Sequence, residues 1–537
     1  MAPDTVTATS LPSSQRLARA ATLMAVATVA SRLLGLFREI VAAWLFGATN
    51  AKAAYVVAYY LPFFVQRLLL GGTLSIIFIP TISRYLAHRD SEEARRVSGN
   101  LFSLVCVIGL AMVAAGELLA PLLVPLAAPG FVVSPGLVVL AVRLTRIIFV
   151  AMWFLALSVF VTGYLQAHHH FTVPALAPLL FNSVIIGGTL VLGTRYGIQG
   201  LAVSWILGTA AQFLVQLPVA RRYGLRFLPI DVKHPAVREL GRLVGPAMLG
   251  LAIVEINAYV DRFFASFLPV VAGANAVAVL DYAYEVVQAP AGIFAISIAT
   301  AIFPLLARHA AAGANAELRH AASLGLRTTL FTILPVTAVA LVLRGPLIRL
   351  IFERGQFGPA ATTAVASAMA AYAAGLPAIA SYYTVTRTYY ALQDLTTPVR
   401  IGALMIVLNA VLDYVLMRSF GAVGIALATS IVAILNVGLL LWLLRRRLGR
   451  IDGARTLRTI VRTGVAATAA AGVMAALSAG MGTVTGSPHL AGLLAQLGVA
   501  AAGGGVVYLA LCRVLGVEEL AVAWELLRRR PAVAGAR

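Results

Sequence analysis

A charged side chain near the centre of a bilayer costs roughly 2.5–3.5 kcal/mol or more. Ions inside long apolar runs are therefore the first residues to ask about chemistry. The run at 17–46 carries Arg32, Arg38 and Glu39 around Gly35, and the run at 53–83 carries Arg67 between Pro62 and Gly71-Gly72. Arginines in such places can line a cavity and clamp a phosphate through fork-like hydrogen bonds. The alternative is that they snorkel to an interface or pair with Glu39. A second group has the opposite polarity: Glu255, Asp261 and Arg262 at 240–266, Asp281 and Glu285 at 274–305, and Asn409 and Asp413 at 399–417. Asn409 and Asp413 are four apart, hence on one helix face, and Thr429 can add a hydroxyl. Carboxylate, amide and hydroxyl oxygens without His or Cys suit a hard cation such as Na+, or a titrating proton. The alternative for Asp413 is pairing with an arginine such as Arg387.

The elements that must position these residues follow from composition. Of 537 residues, 61% are hydrophobic and 11% charged, with mean hydropathy +0.92. Soluble domains run at about 45–50% apolar and about 25% charged, so the chain is an all-α polytopic membrane protein. Spans of about 20 apolar residues are expected near 17–46, 53–83, 100–127, 137–166, 174–194, 199–220, 240–266, 274–305, 322–343, 361–391, 399–417, 421–444, 460–482 and 489–512. That makes about 14 transmembrane helices. An even number puts both termini on one side. Basic residues outnumber acidic ones 41 to 20, for a net charge of +21. Most collect in the loops on the N-terminal side, around Arg95, Arg96, Arg221, Arg222 and Arg445–Arg447. The positive-inside rule makes that side cytoplasmic. The net charge therefore reports topology rather than nucleic acid.

Other classes fall on specific absences. The only lysines, Lys52 and Lys233, lie outside any phosphate-binding loop motif, so ATP hydrolysis by that route is not expected. Cys106 and Cys512 sit in separate apolar runs, and His168, His169 and His170 end a helix without a carboxylate partner. An interfacial cap is the expectation there, not a metal site. Residues 1–15 are polar and the first apolar run is long, so no signal peptide is expected.

Like residues recur at an offset of 224: Arg38 and Arg262, Pro80 and Pro304, Arg84 and Arg308, Pro174 and Pro398, Gly200 and Gly424, Arg221 and Arg445. Gln166 with Gln393 and Asn182 with Asn409 keep an offset of 227, as small insertions would produce. On that pairing Ile186 stands where the second copy has Asp413. Each copy holds six spans, so two pseudo-twofold-related six-helix lobes in parallel orientation are expected, plus two extra C-terminal helices. The expected division is 1–232, 233–452 and 453–537.

Several motifs resemble one family. Ser31-Arg32-Leu33-Leu34-Gly35-Leu36-Phe37-Arg38-Glu39, Phe46-Gly47-Ala48, Leu61-Pro62 and Phe78-Ile79-Pro80 resemble the opening of the MurJ/MviN family. So do Val260-Asp261-Arg262-Phe263-Phe264-Ala265-Ser266, Phe352-Glu353-Arg354-Gly355-Gln356-Phe357, Tyr389 through Asp394 with Thr397-Pro398, and Gly424 through Ser430. The match covers roughly residues 20–450. The family belongs to the multidrug/oligosaccharidyl-lipid/polysaccharide exporter superfamily. The resemblance implies two six-helix lobes around a cationic cavity, with two further helices forming a lipid groove. It also implies flipping of lipid II, the undecaprenyl-pyrophosphate-linked peptidoglycan precursor, from the cytoplasmic to the outer leaflet for cell-wall synthesis.

By position, Arg32 and Arg38 match the family's cavity arginines and Glu39 the adjoining acid. Asp261, Asn409, Asp413 and Thr429 match residues that look like a sodium site in some members. The chain diverges where the family's second helix has a pair of arginines, reading Gln66-Arg67, and where the eighth helix has Tyr-Ala-x-Arg, reading Tyr282-Ala283-Tyr284-Glu285. Two expected cavity arginines are therefore replaced, one of them by an acid, with Arg67 or Arg262, one turn or one position away, as the expected compensation. The implied protein is a transporter rather than an enzyme, a monomer in the bacterial inner membrane, with lipid partners, no nucleic acid and Na+ or H+ coupling in place of a cofactor. A flippase for another lipid-linked glycan and a cation-coupled drug exporter are the rival readings.

Overall fold

A computed structural model describes residues 14–70, 91–235, 237–238, 256–257, 259–449, 453–485 and 490–520; the side chains of 14–21, 25, 65–70, 91 and 483–485 lie outside that description. The described backbone is helical apart from short connections and one isolated antiparallel bridge, Val271–Ala274. Helix α1 is Ser14–Phe46, α2 Asn50–Leu70, α3 Ser91–Ala127 and α4 Pro135–Ala167. Helix α5, Thr172–Gly188, runs through a π turn at Thr189–Gly193 to Thr194–Tyr196, and α6 is Ile198–Arg222. The described part of α7 is residues 259–265. Helix α8, Ala276–Pro290, continues through a π turn at Ala291–Ala295 into Ile296–Ala311, and α9 is Asn315–Val342. A short helix, Arg344–Phe352, precedes α10, Pro359–Ala391. Helix α11 is Thr396–Leu448, α12 Gly453–Thr485 and α13 Leu490–Val514.

Ten of the described helices are long and apolar enough to cross a membrane. The expected fourteen is not reached on these residues. The runs expected at 17–46, 53–83 and 240–266 each include residues or side chains outside the description, and the two expected at 399–417 and 421–444 are two helices that meet at a kink at Gly421 within Thr396–Leu448. Apolar side chains stand outward along these helices, with Leu118 79%, Val506 68% and Val407 63% exposed. Lipid is the solvent that makes such a surface stable. Prolines inside α2, α3, α5, α6 and α8 are tolerated for the same reason, since the packed helices around them meet the freed backbone groups.

The chain divides into two compact units, one of Met1–Phe46, Ala54–Ala127 and Phe131–Glu255, the other of Gly47–Ala53, Ala128–Gly130 and Ile256–Arg537. In the first, α1 packs on α5, α5 on α6, and α4 between α3 and α6. Its core gathers Leu101, Phe102, Phe160, Tyr164 and Phe213. In the second, α10 packs on α9 and α11, and α12 packs on α9 and α13. The two surplus helices dock through Phe331, Ala466, Ala470, Met474, Tyr508 and Cys512. Buried Arg327 on α9 seals that dock by pairing with Glu518 at 3.0 Å and Glu519 at 2.8 Å.

The duplication is written in the backbone. Gly197 (φ 60, ψ −144) and Gly421 (φ 56, ψ −134) make the same left-handed turn 224 residues apart. Three residues after each turn a glycine is pressed against a carbonyl. A Cβ on Gly200 would lie 2.2 Å from the Leu192 oxygen, and one on Gly424 2.2 Å from the Leu416 oxygen. His169 and Gln393, again 224 apart, both have φ 58. This register corrects two of the expected pairs. Gln393 corresponds to His169, not Gln166. Asn409 stands three residues, about one helical turn, beyond the counterpart of Asn182, and Thr189 rather than Ile186 occupies the place of Asp413.

The corners explain two sequence features. His168 ends α4, its ring Nδ1 2.9 Å from the Tyr164 carbonyl and its ring packed on Tyr164 and Tyr223. Burial holds this imidazole below its ordinary pKa. The histidine run is a cap, and among the described residues no group of three His, Cys, Asp or Glu could hold a metal. Asp394 starts α11: it accepts from the Thr397 amide at 3.0 Å, the Thr397 hydroxyl at 2.8 Å and Arg447 at 2.8 Å. Burial alone pushes its pKa up, but these donors together with the Thr396 hydroxyl outweigh it and hold the carboxyl below its ordinary value. A depressed folded pKa stabilises above the unfolded carboxylate range and stops doing so as pH falls through the folded value. Asp394→Ala is expected to cost about 1 kcal/mol at neutral pH, the usual worth of a helix cap. Thermal unfolding in detergent should show the gap between wild type and variant closing as pH falls below about 4.

Candidate functional site

The ionic residues of the two units form separate clusters, each tied together by an asparagine. In the first unit α1 presents Arg38 and Glu39 toward α5. Arg38 folds back on its neighbour, with Nε 3.3 Å and Nη2 3.1 Å from Glu39 Oε1. Its Nη1 donates to Asn182 Oδ1 at 3.4 Å. The Asn182 amide nitrogen donates in turn to the Ser31 hydroxyl at 3.2 Å and the Pro178 carbonyl at 3.0 Å. The Arg38 guanidinium carbon lies 5.1 Å from the ring centre of Trp205 on α6. Glu39 is buried and Arg38 half-buried. Arg38 thus pairs with Glu39, as one of the alternatives had it, and is also met by an amide and an aromatic face rather than snorkelled. Arg32 is exposed on α1 and outside this cluster. The side chain of Arg67 lies outside the described residues.

In the second unit α7 and α11 meet through buried polar atoms. Asn409 Nδ2 donates to Asp261 Oδ1 at 2.8 Å and to Asp413 Oδ2 at 2.9 Å. Thr429 Oγ1 donates to Asp261 Oδ2 at 2.9 Å. Asn409 and Asp413 are wholly buried, Asp261 4% exposed and Thr429 9%. All four residues expected to converge do so. Arg387 lies over the Phe303 ring, and Asp413 accepts from Asn409 with the Asp261 carboxylate beside it. Arg262, next to Asp261, reaches away to Asp281 on α8 at 3.4 Å. Asp281 also takes the Lys52 ammonium at 3.5 Å.

Lys52 was not singled out for chemistry by sequence. It is 1% exposed and its ammonium sits 4.6 Å from the Tyr282 ring centre, while the Tyr282 hydroxyl donates to the Gly47 carbonyl at 3.2 Å. Its sequence signal is slight: one of two lysines in a chain whose other basic residues are all arginine. Glu285, at the position where an arginine was expected, is exposed on α8.

A family model described as lipid II flippase MurJ matches residues 42–492. The chain belongs to the MurJ family. The probable lipid II flippase MurJ of Vibrio cholerae is 31% identical over 441 residues, 80% of this chain and 82% of that protein. The probable lipid II flippase MurJ of Synechocystis is 31% identical over 450 residues, 81% of this chain and 83% of that protein. A solved structure of lipid II flippase MurJ in an inward closed conformation superposes with a TM-score of 0.75 at 26% identity, covering 92% of this chain and 98% of that one. An inward-facing multidrug resistance transporter of the MATE family in the MOP superfamily reaches a TM-score of 0.65 at 15% identity, covering 79% and 96%. That likeness is one of fold.

Membership of the MurJ family makes this chain a multi-pass inner-membrane protein of a transporter family. It also makes the asparagine junctions worth testing as structure. Asn409→Leu leaves two buried carboxylates without their shared amide donor, and a hydrogen bond to a charged group is worth about 1.5–3 kcal/mol. We expect a loss of about 2 kcal/mol, read as a lowered thermal midpoint of the detergent-solubilised protein, with a smaller effect for Asn409→Gln.

Proposed function

We propose that this chain flips lipid II from the cytoplasmic to the outer leaflet, with Arg38 as the cation that holds the pyrophosphate and both termini in the cytoplasm. The observation that carries the role of Arg38 is its triple support by Glu39, Asn182 and Trp205. An arginine whose plane is set before the ligand arrives loses less entropy on binding a phosphate. Glu39 keeps the guanidinium compensated while no anion is present, and an arriving phosphate competes for the same donors. Arg262 has a different task in this reading. With Lys52 it is committed to Asp281, so it balances charge rather than meeting the headgroup. The orientation rests on the arginines flanking the helix ends, among them Arg95, Arg96, Arg221, Arg222 and Arg445–Arg447.

The second cluster suits a coupling cation. Three carboxylates, Asp261, Asp281 and Asp413, share two cations, Arg262 and Lys52, which leaves one negative charge among these five side chains. Two buried oxygens, Asn409 Oδ1 and Asp413 Oδ1, have no hydrogen-bond partner among the described residues. Buried polar atoms seldom remain unmet, and an all-oxygen set without His or Cys fits Na+. A bound Na+ would supply the missing positive charge. Asp261, Asp413, Asn409 and Thr429 would hold it. A proton on one of the carboxylates is the other way to balance the charge. In either case occupancy changes how strongly α7 is held to α11, the coupling that a transport cycle can use.

Two measurements test this. Arg38→Ala should abolish rescue of a strain depleted of its own lipid II flippase while the protein still reaches the membrane; full rescue would remove Arg38 from the site. Failure of the wild type to rescue would favour another lipid-linked glycan, as Glu285 in the arginine position suggests. For the cation, the thermal midpoint should rise when Na+ replaces choline. At tenfold over the dissociation constant the stabilisation is about 1.4 kcal/mol. Asp413→Ala should remove the response. A midpoint indifferent to Na+ but sensitive to pH would assign the site to a proton.

A further inference from the structure

We infer that Trp205 is a positioning residue for Arg38, so that headgroup affinity depends on the indole face as well as on the arginine; this rests on the reading that Arg38 holds the pyrophosphate. The first argument is local. The guanidinium carbon lies 5.1 Å from the ring centre, within the roughly 6 Å over which a cation is drawn to an aromatic face, and Trp has the strongest such face. The ring cannot turn away. Tyr59 on α2 lies 4.9 Å from it, Phe63 5.5 Å edge-on and Phe181 on α5 5.3 Å edge-on. It is held from three sides and is 2% exposed.

The second argument comes from an unmet group. Trp205 Nε1 is buried with no hydrogen-bond partner among the described residues. A buried unpaired donor is costly, and phenylalanine would fill much of this space without that cost. What tryptophan adds over phenylalanine is a stronger face for a cation, and Arg38 is the cation beside it.

The third argument is the duplication. Trp205 stands eight residues after Gly197, and Thr429 stands eight after Gly421, the glycine of the same turn in the second copy. Thr429 donates to Asp261 on α7, and Asp261 is the immediate neighbour of Arg262, the counterpart of Arg38. In both copies this register position therefore faces an ionisable side chain on the first helix of the repeat. In one copy it steadies a carboxylate with a hydroxyl, in the other a guanidinium with a ring. The same place has the same task, with the chemistry inverted to suit the ion.

The test uses the full-length protein in detergent and its binding of lipid II by titration in native mass spectrometry. Variants are Trp205→Leu, Trp205→Phe, Arg38→Ala and the double variant Trp205→Leu/Arg38→Ala. Trp205→Leu is expected to weaken binding about tenfold and Trp205→Phe about two- to threefold, on the usual scale of a desolvated cation–ring contact. The double variant should bind no more weakly than Arg38→Ala alone, because a positioning residue has nothing left to position. Independent losses that multiply in the double variant, or undiminished binding by Trp205→Leu, would overturn the inference. Undiminished binding by Arg38→Ala would instead sink the underlying reading of the site. Trp205→Phe guards against a folding artefact, since it preserves an aromatic ring. Its emission gives a second check: lipid II should change the fluorescence of the wild type, and Trp205→Phe should remove most of that change.

Discussion

An ion inside a bilayer has little water to turn to, so its partners must come from the protein itself. That constraint shapes both clusters. Glu39 compensates Arg38 from the same helix, and an asparagine ties each cluster together, Asn182 in the first unit and Asn409 in the second, each reaching from the fifth helix of its repeat to the first. An amide suits the task because it offers both a donor and an acceptor. Asn182 turns its oxygen to Arg38 and its nitrogen to Ser31 and Pro178. Asn409 turns its nitrogen to two carboxylates, and its oxygen has no hydrogen-bond partner among the described residues. The same residue type thus serves opposite charges, and only the orientation of its amide records which.

The duplication explains why two such junctions exist and the divergence explains why they differ. The turns at Gly197 and Gly421 and the close contacts at Gly200 and Gly424 hold the helix pairs of both copies in one geometry. Side chains pointing into that geometry are then free to change. Trp205 stands in the place of Thr429 and Thr189 in the place of Asp413, so one copy centres its polar junction on an arginine and the other on two carboxylates.

Much of this was legible as a list of ions in apolar runs, and less as an arrangement. Asp261, Asn409, Asp413 and Thr429 were visible because carboxylates are rare in such runs and because Asn409 and Asp413 are four apart on one helix. Arg38 and Glu39 were visible for the same reason, but Arg32 looked equivalent to Arg38. Six residues separate them, and only the packing of α1 on α5 decides which one is held. The offset of Asn182 from Asn409 was misread because a three-residue shift resembles an insertion when it is a helical turn. Trp205 left no signal, since a tryptophan in an apolar helix is ordinary until an arginine is found on its face. The turn at Gly421 was legible as the gap between the apolar runs 399–417 and 421–444, and the backbone leaves the helical range there.

Lys52 carries the point furthest. Lysine is a compact, strongly hydrated charge and costs more to bury than a guanidinium, yet the chain keeps one of its two lysines at 1% exposure. It does so where Asp281 must balance two cations and where the Tyr282 ring lies beneath the ammonium. Arg262 is thereby occupied on its Asp281 side, and its neighbour Asp261 is left to Asn409 and Thr429. Removing Lys52 would free Asp281 to draw Arg262 more strongly and alter the charge balance around Asp261 without touching either residue. The overall charge of +21 says nothing of this. What decides it is local: Asp281 lies between Lys52 and Arg262, while Asn409 joins Asp261 to Asp413.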